Sequence, residues 1–206
     1  MLTINPIKQR DWLLLALVLL CAAVVRFGQP GIVEFFHDDA MLSTLAQNMA
    51  AGEYFPVTGI NSSVGIPNPP TSVYVMALPF FFDSNPMTAI LFVMGLNVLG
   101  VGILWLIAQR YFGRTVALVA GLSYALSPWA ALYSRKIWAQ DFHTPFVLLG
   151  ILLGLYGFWE AQRRSETEHP RWRLSSHEWA QIFTLPVLLF AFQIHFAAWA
   201  LIPVYL

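Results

Sequence analysis

The 206-residue chain is 58% hydrophobic and only 11% charged, with eleven Lys and Arg against eleven Asp and Glu. Soluble domains average about 45–50% apolar and about 25% charged residues, so a water-soluble enzyme and a disordered chain are both excluded. The balanced charge gives no reason to expect a nucleic-acid partner, and the single cysteine, Cys21, excludes a disulfide framework or a Cys-rich metal site.

The charges cluster and leave long apolar gaps, and a transmembrane helix needs about 20 mostly apolar residues. The first such run is Trp12 to Phe27, preceded by Lys8 and Arg10. A basic start and a short apolar core also describe a signal peptide, but no A-x-A-like site follows, and Leu20 before Cys21 is too bulky for lipoprotein processing. A retained anchor is expected, with Cys21 a small core residue.

Residues 28–85 then form a first extracytoplasmic loop. From Gly28 to Pro70 it has no Lys or Arg but carries Glu34, Asp38, Asp39 and Glu53. Ala40 to Ala51 reads as a short surface helix, with Leu42, Leu45 and Met49 on one face and Gly52 as its stop. Asp38 and Asp39 have two readings. One aspartate suffices to cap a helix, and a second beside it suggests use. His37 reads as a surface histidine. Gly59 to Pro70 is a loop by composition; its Asn61-Ser62-Ser63 sequon reads as a polar turn or as a glycan acceptor. Thr71 to Phe82 is apolar but about 12 residues long and interrupted by Pro79, too short to cross, so it is expected to be juxtamembrane or re-entrant.

Four more spans follow: Pro86 to Gln109, Thr115 to Tyr133, Phe142 to Glu160, and Trp179 to the end. The fold class expected is all-α, a polytopic membrane protein with about five transmembrane helices in one domain over residues 1–206. With the N-terminus cytoplasmic, five spans put Lys8, Arg10, Arg110, Arg114, Arg163, Arg164, Arg171 and Arg173 inside, and Arg26, Arg135 and Lys136 outside. A sixth crossing by Thr71 to Phe82 would reverse that bias unless the N-terminus were outside. A plasma (inner) membrane location with a cytoplasmic N-terminus is the expectation. The chain stops at Leu206 within an apolar run, which reads as the front part of a longer polytopic protein.

The second outer loop carries Arg135, Lys136 and Asp141. Cations outside, against the charge bias, suit either a phosphate group or lipid headgroups. Asp141 precedes Phe142 and could cap the fourth span. Asn97, Gln193 and His195 are intramembrane polar residues, read as functional groups or interhelical hydrogen bonders. Gly150-x-x-x-Gly154 reads as close helix packing.

Taken in order, these parts resemble the C-type (GT-C) superfamily of membrane glycosyltransferases, above all protein O-mannosyltransferases and bacterial aminoarabinose transferases of lipid A. The likeness runs from about Trp12 to Glu160. It rests on His37-Asp38-Asp39 through Gly52-Glu53-Tyr54, Asn68-Pro69-Pro70, Arg110-Tyr-Phe-Gly-Arg114, Leu126-Ser-Pro128, Tyr133-Ser134-Arg135 and Asp141. The resemblance implies an inverting transfer of a sugar from a polyprenyl-phosphate donor to an acceptor hydroxyl at the extracytoplasmic face. It implies Asp38 as catalytic acid, with Asp39 where the family usually has Glu, and Asp141 as the second active-site acid. Arg135 and Lys136 resemble donor-phosphate contacts. A divalent metal on Asp38 and Asp141 is the one cofactor it suggests, and membrane lipids are the other expected partners. The residues leave the oligomeric state, the sugar and the acceptor open. They also leave two alternatives: a non-catalytic membrane subunit or truncated remnant, and a transport component using Asn97, Gln193 and His195.

Overall fold

The structure, a computed structural model, describes residues 4–61, 65–163, 174–201 and 203. Ser62 and Ser63 of the sequon, the cations Arg164, Arg171 and Arg173, and Leu206 lie outside the described residues. Within them the chain is helical, with one isolated bridge between Asn61 and Pro67, so the all-α expectation is met.

Helix α1, Gln9–Phe27, is an almost unbroken Leu, Ala and Val run. Asp11 locks its start. One carboxylate oxygen accepts the Lys8 N–H at 2.8 Å, and the other accepts from the Arg114 guanidinium at 2.7 and 2.5 Å. Helix α2, His37–Ala50, and α3, Thr71–Phe80, follow in the first loop. Helix α4, Pro86–Phe112, begins where Asn85 accepts the Met87 N–H at 2.9 Å and proline takes the first helical position. Gly113, at φ 88°, is the whole connection to α5, Arg114–Leu126; the left-handed conformation favours glycine. Short helices α6, Pro128–Tyr133, and α7, Ala139–Phe142, lead to α8, Thr144–Gly154. A π-helical turn, Leu155–Glu160, extends α8. Helix α9, Ser176–Ile194, opens on a capping box of Ser175 and Glu178.

Close pairs fix the directions. Asp11 meets Arg114 at one end of α1 and Arg26 meets Ala125 at the other, so α1 and α5 run the same way. Asn97 meets Asp141 and Tyr111 meets Glu160, so α8 runs with α4 and against α5. α9 returns against α8, with Gly157 beside Gln181 and Gly150 beside Leu188. A methyl group on Gly150 would stand 2.5 Å from a Leu188 carbon, so the expected close packing is met at Gly150.

Three apolar clusters among the described residues hold the bundle, one of them, Ile103, Ile107 and Tyr111, joining α4 to α8. Leu15, Val18, Ala22, Val101, Trp105, Ala117 and Ala125 join α1, α4 and α5. Leu42, Val73, Met76, Val93, Met94, Phe142 and Ile194 tie α2 and α3 to α4, α7 and α9. Helix α3 is thus packed into the protein, at 10 residues too short to cross a bilayer. Pro86–Phe112 and the run Thr144–Arg163 are long and apolar enough to span one; at 27 residues α4 is about 40 Å long.

The third expected span is broken at Ser127-Pro128, and the fourth starts at Thr144, two residues later than expected, with Pro145 in its first turn and His143 separating it from α7. Proline has no N–H to return to the carbonyl four residues back. Those carbonyls, on Tyr124 and Asp141, become important below.

The bundle has two unlike ends. One gathers the start of α1, the end of α4, the start of α5 and Glu160, and carries Lys8, Arg10, Arg110, Arg114 and Arg163. The other gathers α2, α3, α6 and α7, and is called the loop end here.

Candidate active site

Helix α2 starts three residues earlier than its sequence pattern suggests, with Phe36 as N-cap and His37, Asp38 and Asp39 in its first turn. The capping aspartate is the third residue of the helix. Asp39 reaches back so that one carboxylate oxygen accepts the Phe36 N–H at 3.0 Å. Its other oxygen leaves the helix and accepts the Ile137 N–H at 2.7 Å. Asp39 is 3% exposed, so this side chain is both a cap and a buried bolt between the two loops.

Asp38 sits beside it but points elsewhere. It is exposed and makes no hydrogen bond with a described residue. One turn of helix therefore divides the acidic pair into a fixed carboxylate and a free one. His37 is exposed as well.

Lys136 adds a second link. Its ammonium lies 3.1 Å from a Glu34 oxygen and over the rings of Phe36, at 4.7 Å, and Tyr133, at 5.2 Å. Such cation–π contacts hold the amine on an apolar surface while leaving its charge available. Lys136 is 7% exposed whereas the Glu34 side chain is 52% exposed.

Arg135 faces the end of α1 rather than the acids. Its guanidinium donates to the carbonyl of Val25 at 3.0 Å and, more weakly, to that of Arg26 at 3.4 Å. The last carbonyls of a helix lack partners within it, and a cation there also meets the negative end of the dipole. Arg26 does the same for α5. It is fully buried and donates to the carbonyls of Ala125 at 3.0 Å and Tyr124 at 3.2 Å. The Tyr124 carbonyl is one of those that a proline, here Pro128, leaves unpartnered.

Asp141 lies inside α7 and makes no cap for α8; the N-cap of α8 is His143. The expected capping role is therefore replaced by another placement. One Asp141 carboxylate oxygen is buried with no hydrogen-bond partner. Burial pushes its pKa up to about 7, the Asp39 charge adds to that, and Lys136 opposes both. The Asp141 main chain is held separately: its carbonyl accepts from the Asn97 side chain at 2.7 Å.

The structure thus brings Asp39, Asp141, Lys136 and Glu34 together at the loop end, with Asp38 one residue from the bolt on the open side. Arg135 belongs to the same loop but is spent on α1. Among the described residues no three His, Cys, Asp or Glu side chains group closely enough to enclose an ion.

Sequence reasoning gave too little weight to Arg26, Glu34 and Asn97. The first two were counted only as charges. Asn97 carried a signal, being polar inside an apolar span, but its partner is 44 residues away. Gln193 is exposed while His195 is buried against His143 and Phe196. The three polar residues thus do not line one path.

Residues 67–168 match the family model of the dolichyl-phosphate-mannose-protein mannosyltransferases. The match takes in the paired prolines, Arg135, Lys136 and Asp141, and begins past Asp38 and Asp39. It bears out the resemblance to the C-type membrane glycosyltransferases. No curated protein and no solved structure matches the chain.

Proposed function

We propose that the chain, whose residues 67–168 match that family model, is a membrane glycosyltransferase of the C type that moves a sugar from a polyprenyl-phosphate donor to an acceptor hydroxyl at the extracytoplasmic face, inverting the anomeric centre. In this reading five helical segments cross the plasma membrane with the N-terminus cytoplasmic, and the loop end faces outward.

One observation carries the proposal. The buried Asp39 bolt joins the acidic first loop to the second loop, so a free carboxylate, an ammonium and a second buried carboxylate share one end of the bundle. A sugar on a lipid phosphate already has a good leaving group. What remains is to take a proton from the acceptor and to receive the departing charge.

Asp38 is the general base, open to an incoming hydroxyl as hydrogen-bond catalysis needs. The acceptor oxygen bonds to the anomeric carbon as the bond from that carbon to the phosphate oxygen breaks. The acceptor proton passes to Asp38, and the electron pair leaves with the polyprenyl phosphate. Lys136 meets that phosphate, releasing Glu34 from its exposed pair. Arg135 backs this role by fixing the loop to α1, with donor-phosphate contact as its further assignment. Asp39 positions both loops. Asp141 is the second active-site acid, its unpartnered oxygen available to the reacting groups; a divalent cation on Asp38 and Asp141 would supply further positive charge at the phosphate, and no step above depends on that cation.

The test is Asp38→Asn. General-base removal lowers transfer by about 100- to 10,000-fold while the protein still inserts and melts as before. Undiminished transfer by that variant defeats the assignment. Purified chain that binds donor in a vesicle yet never transfers would instead favour a non-catalytic subunit.

A further inference from the structure

Asn97 is 4% exposed and sits eleven residues into α4, about 16 Å below the helix's first residue. At that depth a main-chain carbonyl without a partner is expensive. Pro145 creates one. In a continuous helix its N–H would bond to the carbonyl of Asp141, and it has none. The Asn97 amide takes the vacant place at 2.7 Å, and it also donates to Val93 of its own helix at 3.1 Å. The amide oxygen is fixed in turn, accepting from the Tyr124 hydroxyl at 3.3 Å. Tyr124 lies under Arg26, whose guanidinium stands 5.4 Å from the ring centre. A connected series therefore runs from α1 through α5 and α4 to the residue that carries the orphaned carboxylate.

We propose that Asn97 is a positioning residue for sugar transfer: by gripping the main chain at Asp141, it sets where that carboxylate stands in the site. The inference rests on the function proposed above for the same site. It differs from simple satisfaction of a carbonyl, because the break between α7 and α8 at His143 leaves the grip of Asn97 to set how α7 lies.

The experiment uses the full chain in detergent and in vesicles. Asn97→Leu lowers kcat about 100-fold, the scale of a misplacement near 1 Å, while KM for the lipid-phosphate donor stays within about twofold. Adding Pro145→Ala to that variant restores an N–H for the Asp141 carbonyl. If Asn97 only satisfied the carbonyl, the double variant would regain kcat; the proposal expects it to stay low. Unchanged kcat in Asn97→Leu, or recovery in the double variant, overturns it. Should Asn97→Leu fail to fold, Tyr124→Phe decides. That change frees the amide oxygen and lowers kcat several-fold, and an unaltered kcat overturns the idea. A readout without catalysis separates the two hypotheses. With Cys21→Ala as background, Asp141→Cys reacts with a water-soluble thiol reagent, and Asn97→Leu changes that rate at least about fivefold. If the parent chain shows no transfer but the labelling rate still shifts, the proposed function fails and the positioning role stands. No shift in labelling overturns the positioning role.

Discussion

The two ends of the bundle treat charge differently. At the basic end, guanidinium meets carboxylate. Arg110 grips the fully buried Glu160 with two bonds of 2.7 and 2.6 Å, and Arg114 grips the nearly buried Asp11. At the loop end the arginines meet peptide carbonyls instead, and the carboxylates, apart from Glu34 paired with Lys136, are left to other tasks. Arg26 and Arg135 hold helix ends, Asp39 bolts two loops, Asp38 is open, and Asp141 keeps an oxygen without a partner. Paired charges neutralise each other and serve structure. Cations satisfied by neutral dipoles leave local charge uncancelled, which is what a site for an anionic donor needs.

This contrast can be broken from either side. The largest stability effect is expected at the basic end. Glu160→Gln strands Arg110, and removing one partner of a buried pair costs about 3–5 kcal/mol; because the Arg110 side chain is 22% exposed, the low end applies. Chemical denaturation would show the loss, with transfer by the folded fraction intact. Asp39→Ala should act on both properties. It removes acceptors for two main-chain N–H groups, one of them buried, for about 1–3 kcal/mol, and it unbolts the loops, so transfer falls too. A loss of stability with undiminished transfer would detach Asp39 from the site.

A pH series sharpens the comparison further. The Asp141 pKa stands at about 7 in the fold against an ordinary 3.8. The fold therefore favours the protonated acid. Its stabilising contribution is complete below 3.8 and is lost as pH rises through about 7. Against an Asp141→Asn control, the wild-type melting temperature should decline over that window. Parallel curves would mean the group is not held as described. The smallest stability effect belongs to Lys136→Met. Its exposed partner Glu34 makes the pair worth about 0–1 kcal/mol, so the melting temperature should barely move while donor KM rises.

Much of the framework was legible because its signals are local. Asn85-Pro86 announces α4, Gly52 at φ 75° ends the first-loop helix where expected, and the length of Thr71–Phe80 keeps it from crossing. The proline breaks were less legible. Pro128 and Pro145 stand in apolar runs that hydropathy alone reads through, and only the geometry shows which carbonyls they free. The acidic pair was found, but its division of labour was not. Whether Asp38 or Asp39 turns inward depends on which residue begins the helix, and boundaries are the weakest part of a pattern reading. The contacts of Asp39 with Ile137 and of Asn97 with Asp141 join segments far apart in the chain, and no local pattern encodes them.

The π-helical turn at Leu155–Glu160 carries one more residue per turn than the α8 helix it continues. Each residue advances an α-helix by about 100°. Were this stretch to wind as a regular α-helix with every residue kept, Glu160 would swing roughly a quarter turn away from Arg110. Deleting one residue at the same time would bring it back into line. The clasp at that end is thus keyed to winding and residue count together as much as to residue identity.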